Sequence, residues 1–253
     1  MVKNSNLNNL LVSLAKQFKE TDTYKNLPPS EQEKINLLIE GKQGIPNPIE
    51  PKQRPLKRVS KTTTYQLKVS LKDTHPPVWR RIVVPGYITF HQLHQVIQTA
   101  MGWGGYHLYS FEIEDVEIQL PDDDFGIPDS YRDIRNANKE KLGYWIHKEK
   151  QSFNYTYDFG DNWEHKIIVE KMEKRNEPLE HPLCIKGKRA CPPDDIGGTT
   201  GYSQILNMLE NKNNGTGNED EWLKELEEMF GEFEHDEFDL EEVNLLLEEL
   251  EYE

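Results

Sequence analysis

Between Phe153 and Val169 apolar and polar residues alternate on both sides of a short turn, and no other stretch of the chain limits the fold as tightly. Successive side chains of a strand point to opposite faces, so Phe153, Tyr155 and Tyr157 share one face, and Trp163, His165, Ile167 and Val169 share one face of the next segment. The residues between them, Asp158-Phe159-Gly160-Asp161-Asn162, are turn formers: Asp and Asn bond to their own backbone, and Gly accepts unusual angles. The pattern predicts a β-hairpin with one aromatic-rich face. Such a face must be covered, which requires a sheet with helices packed on it.

Other segments agree with that architecture. Tyr65, Leu67, Val69 and Leu71 alternate with polar residues, and Val78–Val84 follows after Thr74-His75-Pro76-Pro77, which predicts a second hairpin. Thr89 caps a predicted helix in which Phe90, Leu93, Val96, Ile97, Ala100 and Met101 recur at helical spacing, ended by Gly102 and Gly104. A third strand is expected from His107, with Tyr109, Phe111 and Ile113 on one face. The polar stretch from Glu114 to Lys150 reads as a loop around Asp122-Asp123-Asp124, followed by a short helix near Leu142, Trp145 and Ile146. Beyond a loop through Cys191-Pro192-Pro193, helices are expected near Gly201, near Glu219 and at Leu240, where Asp239 is the N-cap.

The amino-terminal region has a different character. Leu7, Leu10, Leu11, Leu14 and Phe18, then Ile35, Leu37, Leu38 and Ile39, recur at helical spacing around a break at Pro28-Pro29, and Ser30 with Glu33 forms a capping box. Residues 41–61 carry Pro46, Pro48, Pro51 and Pro55 and read as an extended linker. The expected organisation is therefore an N-terminal helical segment over 1–40, a Pro-rich linker over 41–61 and an α+β domain over 62–253. Its sheet is mainly antiparallel and flanked by helices, and its end is acidic and helical.

Charge narrows the partners. The 253 residues carry 45 Asp and Glu against 30 Lys and Arg, a net charge of −15. Seventeen of the acidic residues lie between Glu219 and Glu253 against one Lys, leaving 28 acidic and 29 basic residues elsewhere. A nearly neutral body with an acidic end suits a basic protein partner and leaves nucleic acid open. No apolar run reaches the ~20 residues that span a bilayer, and the first residues lack a signal peptide's pattern. Two cysteines, Cys184 and Cys191, make no disulfide framework or four-thiolate site. The expectation is a cytoplasmic protein with no membrane contact and no cofactor.

Four segments carry candidate chemistry. Trp79-Arg80-Arg81 reads as a buried Trp79 beside a surface ion pair, or as an anion-binding guanidinium on Arg80 or Arg81. His91 and His94 read as helix-surface histidines, and His107 follows the glycine-rich connection Gly102-Trp103-Gly104-Gly105. In the hairpin turn Asp158, Asp161 and His165 are candidates for a metal or for base catalysis. The structural alternative is a turn stabilised by its own carboxylates, with His165 a hydrogen-bonded core residue in phase with Trp163 and Ile167. Asp194, Asp195, Gly197 and Gly198 precede a helix in a glycine-rich loop that lacks the Gly-Lys-Ser/Thr of a phosphate loop, which disfavours nucleotide hydrolysis.

The blocks PPVWRRIVVPGYITFHQLHQVIQTAMGWGGYHLYSF, FNYTYDFGDNWEHKIIVE and PLCIKGKRACPPDDIGGTTGY occur in one order. With Phe238-Asp239-Leu240 and Asn244 they resemble the Ri-plasmid open-reading-frame-three-like family, also labelled insertion-element passenger proteins, over Thr64 to Leu250. The resemblance implies a compact α+β domain with an antiparallel sheet, and a genomic association with mobile elements. Asp194-Asp195-Ile196 stands where Glu-Asp-Cys is common in that family, so a role needing that cysteine is not expected here. Two functions suit these residues. One is a non-enzymatic ligand- or macromolecule-binding module, which the mixed chemistry favours; the other is a metal-dependent hydrolase or nucleic-acid-processing enzyme. They differ in whether Asp158, Asp161, His107 and the Asp194–Gly198 loop meet at one place.

Overall fold

The computed structural model describes residues 13, 15–25, 27, 32, 35, 36, 39, 59–121, 133–213, 228 and 233–250. Most of the two N-terminal helices with the Ser30 capping box, most of the Pro-rich linker, Asp122–Asp124 and the helix expected near Glu219 lie outside them. The chain divides into two compact units, Met1–Pro51 with Ile127–Arg132, and Lys52–Gly126 with Asp133–Glu253. In the first, a short helix α1 (Asp22–Lys25) carries the buried Tyr24, whose hydroxyl donates to Asn36 Oδ1 at 3.0 Å.

The second unit is built on an eight-stranded sheet of order β5-β4-β3-β6-β7-β1-β2-β8. Its strands are β1 (Thr63–Leu71), β2 (Trp79–Pro85), β3 (Tyr109–Ile113), β4 (Val116–Gln119), β5 (Ile134–Asn136), β6 (Ser152–Tyr157), β7 (Trp163–Lys174) and β8 (Leu183–Lys188). Every pairing is antiparallel except β4 with β5. The helices are α2 (Phe90–Met101), α3 (Leu142–Trp145), α4 (Gly198–Asn213) and α5 (Leu240–Glu248). This is the α+β arrangement that the alternation implies. No helix among the described residues is long and apolar enough to cross a membrane.

The β6–β7 hairpin forms the middle of the sheet, pairing Tyr157 with Trp163 and Tyr155 with His165. Its inward residues and those of β1, β2 and β3 are buried beneath α2. Phe90 of α2 meets Phe111, Phe153 and Trp145 edge-on, with ring centroids 5.1, 6.2 and 6.4 Å away. Thr89 and Gln92 form a reciprocal capping box at the start of α2, and Gly102 closes its end at φ 97°. Asp239 Oδ1 accepts the Glu241 and Glu242 N–H groups at the start of α5, both at 2.9 Å. Asn244 then pairs with the backbone of Cys184 as another strand would, donating to its O and accepting from its N at 2.9 Å. That bond shields part of the sheet edge at β8.

Three short strands depart from the sequence reading. β4 and β5 lie within the stretch read as a polar loop, and β8 lies in a stretch where no strand was expected. Each is short, and β5 and β8 bury few side chains, so neither has a long apolar alternation to reveal it.

The phase of β2 also differs. Arg80, with Ile82 and Val84, faces the core, while Trp79 and Arg81 lie on the opposite, polar face. Arg80 is 2 % exposed, yet its guanidinium meets carbonyls instead of a carboxylate: Nε donates to Ala100 O at 2.7 Å, and Nη1 to Trp79 O and Lys188 O at 3.0 and 3.2 Å. Ala100 lies in the last turn of α2, where the helix dipole favours a cation. The Phe238 ring covers the guanidinium at 4.1 Å. Arg80 is thus a buried clasp between α2, β2 and β8.

Candidate functional site

The turn after β6 orients the first carboxylate. Asp158 and Asn162 adopt left-handed backbone angles, φ 52° and 55°, which Asp and Asn tolerate better than most residues. Asp158 N donates to Leu108 O at 2.9 Å, and Asp158 Oδ1 accepts from Gly160 N at 2.9 Å. The other oxygen, Oδ2, lies 3.9 Å from His107 Nε2. His107 sits between the glycine-rich end of α2 and the start of β3.

The loop after β8 brings two more carboxylates to the same imidazole. Asp195 Oδ1 is 3.1 Å and Asp194 Oδ1 is 4.0 Å from His107 Nε2. Asp194 is held from behind, because Tyr157 OH donates to its Oδ2 at 2.9 Å, while its buried Oδ1 has no hydrogen-bond partner. Burial pushes the Asp194 carboxyl above the usual carboxylate range and neighbouring Asp195 adds to the rise, against the Tyr157 bond and His107. Trp103 fixes the loop from inside, donating from Nε1 to Pro192 O at 2.9 Å and stacking on Tyr157 with ring centroids 5.1 Å apart.

One ligand atom from each of His107, Asp158, Asp194 and Asp195 falls within 4.8 Å of the others. That spread equals two metal–oxygen bonds of about 2.4 Å, and a metal bonding at about 2.1 Å needs only a small closure. One imidazole nitrogen with three carboxylates suits a divalent first-row ion such as manganese or zinc better than a site made of oxygens alone. Without a cation the three carboxylates crowd one imidazole, and Asp195 is 71 % exposed, so the group opens to solvent.

The other sequence candidates are placed elsewhere. Asp161 is engaged in structure: its Oδ2 accepts from Gly197 N at 3.0 Å, just before α4. Gly198, at φ 67°, packs so tightly that a Cβ there would collide with the Asp161 carbonyl oxygen. Trp163 and His165 are fully buried. The constellation Asp158, Asp161 and His165 is therefore not assembled, because alternation turns His165 inward while the turn carries Asp158 to the sheet's end. His165 is a core residue as its phase implies, but neither ring nitrogen has a hydrogen-bond partner of good geometry. Burial pushes its imidazole down to about 3, against weak opposing contacts from the Trp163 and Tyr155 backbone.

On the polar face Arg81 pairs with Glu170, Nη2 to Oε1 at 2.8 Å, and Trp79 lies beneath Lys68 and Arg81 at 5.2 and 5.3 Å. Trp79 is thus half-buried on the open face, the reverse of the burial expected for it.

His91 and His94 also differ from their surface reading. His94 is 5 % exposed; its Nδ1 lies 2.7 Å from Tyr155 OH and its ring stacks on Tyr109 at 3.7 Å. Burial, with His91 adding, holds its imidazole down to about 3. His91 Nδ1 lies 2.8 Å from Tyr109 OH, and Gln98 Nε2 donates to Tyr155 OH at 2.8 Å. Tyr157 and Trp103 are the residues of the site that sequence reasoning passed over. Their signal is chemical: an inward Tyr at the end of a strand, next to a polar turn, needs a partner for its hydroxyl.

Known proteins share this frame. The profile of the plasmid pRiA4b ORF-3-like protein family matches residues 63–242. An uncharacterized protein of Sinorhizobium fredii, y4hQ, is 41 % identical over 144 residues, 57 % of this chain and 72 % of its own length. The crystal structure of a protein of unknown function from Methanosarcina mazei Go1 superposes with a TM-score of 0.61 at 36 % identity, covering 72 % of this chain and 98 % of its own. The extent of the family match and the likeness of both relatives agree: the chain belongs to the plasmid pRiA4b ORF-3-like protein family.

Proposed function

We propose that the chain is a binding module whose ligand is held at a divalent-cation centre formed by His107, Asp158, Asp194 and Asp195. The observation that carries this reading is the approach of four ligand atoms to within 4.8 Å, from three segments far apart in sequence. Tyr157 and Trp103 act behind it as positioning residues, as the outer partners of metal ligands do. Metal-dependent hydrolysis is the second reading, because the same convergence leaves the exposed Asp195 carboxylate available as a base for an ion-bound water. Glu241, Glu242, Glu248 and Glu249 are exposed on and beside α5 and supply acidic groups for a basic partner. An association with mobile elements enters this reading through the family's plasmid name alone.

Elemental analysis of protein purified without chelator tests the centre. One equivalent of a first-row metal is expected in the wild type and none in Asp158→Asn, with matching far-ultraviolet dichroism. A metal-free wild type that also fails to take up manganese or zinc on titration would leave His107 as an ordinary ion-paired histidine.

A further inference from the structure

On the open face of the sheet, strand register sets positive side chains directly against one another. Lys68 of β1 pairs with Arg81 of β2, and Arg81 with Lys186 of β8, so three cations stand in one row across three adjacent strands. In the next row Trp79 lies between Lys188 and Ser70, and Ser70 is paired on its other side with Lys166 of β7. Like charges directly opposite one another destabilise a sheet. Of these cations only Arg81 has a carboxylate partner among the described residues, Glu170, while Lys166, Lys186 and Lys188 are exposed. The half-buried Trp79 ring is flanked by Lys68 and Arg81 at 5.2 and 5.3 Å, which gives the patch an apolar centre. Lysines on an edge strand keep it from pairing with a neighbour, and that accounts for Lys186 and Lys188. It does not account for Lys68, Arg81 and Lys166, which lie on interior strands.

The outer face of α5 carries the opposite pattern. Leu245 is 63 % exposed, and Glu241, Glu242, Glu248 and Glu249, all exposed, stand three or four residues from it and so surround it on the helix surface. The helix is anchored through its other side, by the buried Leu247 and the bonds from Asn244 to Cys184, so this acidic face is presented on a fixed element. The dimensions agree as well: the nine residues of α5 are about 13 Å long, and the four strands β7-β1-β2-β8 are about 14 Å across. We propose that α5 of one copy docks across these four strands of a second copy, with Leu245 against Trp79 and the glutamates against the opposed cations. The basic partner of α5 is then another copy of this chain, and the contact is independent of the cation centre. Such an interface holds at physiological ionic strength and is lost when salt screens its charge pairs.

Sedimentation equilibrium of the full-length protein tests this by exchanging the charges. Lys68→Glu/Lys186→Glu reverses the sheet face and leaves Arg81 between two acids, which favours the fold. Glu248→Lys/Glu249→Lys reverses the end of α5 where the helix dipole favours cations. At about 100 µM protein, above the micromolar limit of weak specific interfaces, the wild type is expected to have at least twice the monomer's mass in about 0.15 M salt and the monomer's mass in about 1 M salt. Each double variant alone is expected to stay monomeric with wild-type far-ultraviolet dichroism. An equimolar mixture of the two should associate again, because each then offers the other one native and one exchanged contact. A monomeric wild type, association that survives high salt, or a mixture of folded variants that stays monomeric overturns the inference. Uptake of a single-stranded thymine oligonucleotide by a monomeric wild type would assign the face to a nucleic acid instead. Manganese binding is expected to be the same in both variants as in the wild type, so the centre stands or falls separately.

Discussion

Two histidine clusters adjoin the same Tyr157 ring, His94 at 6.2 Å and His107 at 5.7 Å between ring centroids, and they solve their polarity in different ways. Beneath α2, His91 and His94 are closed off: their Nδ1 atoms meet Tyr109 and Tyr155, and Gln98 joins the same network. At the turn end of the sheet, His107 faces three carboxylates, one with a buried oxygen that has no hydrogen-bond partner. The first cluster is partnered internally except at the buried Oε1 of Gln98, and it carries no carboxylate. The second concentrates negative charge on one point and opens to solvent through Asp195. The difference teaches that a histidine's neighbours, more than its presence on a strand or helix, separate a structural residue from a ligand.

The buried imidazoles, His94 of the closed cluster and His165 of the core, should dominate stability in acid. His94 and His165 are held down to about 3, against an ordinary value of 6.5. Between those values the unfolded chain binds more protons than the folded one, so stability is full above pH 6.5 and falls as the pH drops towards 3. The loss is on the order of 5 kcal/mol for each imidazole across that window, an upper figure for groups that relax as they charge. Urea denaturation at stepped pH measures it, and a His165→Phe variant should flatten the curve. An unchanged curve would mean that neither buried imidazole governs acid stability.

Exchanging the clusters' roles by mutation sharpens the contrast. His107→Ala should weaken manganese binding by about 100-fold while leaving metal-free stability near wild type. His94→Ala should do the reverse, costing about 2–4 kcal/mol in denaturant while metal binding persists in the folded protein. Equal effects of the two changes on metal binding would erase the distinction. A smaller effect is expected behind the centre: Tyr157→Phe releases Asp194 from its bond and should weaken manganese by about 10-fold. Its loss of affinity should grow as the pH falls, because the raised Asp194 carboxyl protonates sooner than an ordinary one. The smallest effect belongs to the open face, where Arg81→Ala should cost under about 1 kcal/mol, since the Arg81–Glu170 pair is partly exposed.

Local rules made much of the fold readable. The β6–β7 hairpin, the Thr89 cap of α2, its Gly102 stop and the Asp239 cap of α5 are each set by residues within one turn of each other. β5 and β8 were hidden because their place depends on pairing with distant strands, β4 and β2, more than on their own pattern. The burial of Arg80 was hidden for a related reason. Val78-Trp79-Arg80-Arg81-Ile82 permits two phases, and the one that forms is chosen by the carbonyls at the end of α2 and by Phe238. The members of the site were visible as polar residues in turns, but their meeting was not. Tertiary structure alone brings His107, Asp158 and the Asp194-Asp195 pair to one point, and the same folding withdraws Asp161 to Gly197 and His165 into the core.

Anomalous scattering from crystals grown with manganese is the most direct test of the centre. A single difference peak is expected among His107 Nε2 and the carboxylates of Asp158, Asp194 and Asp195, at about 2.1–2.4 Å from its ligands, and absent from His107→Ala crystals. A peak beside His91 and His94, or no peak with His107 simply paired to Asp195, would contradict the account.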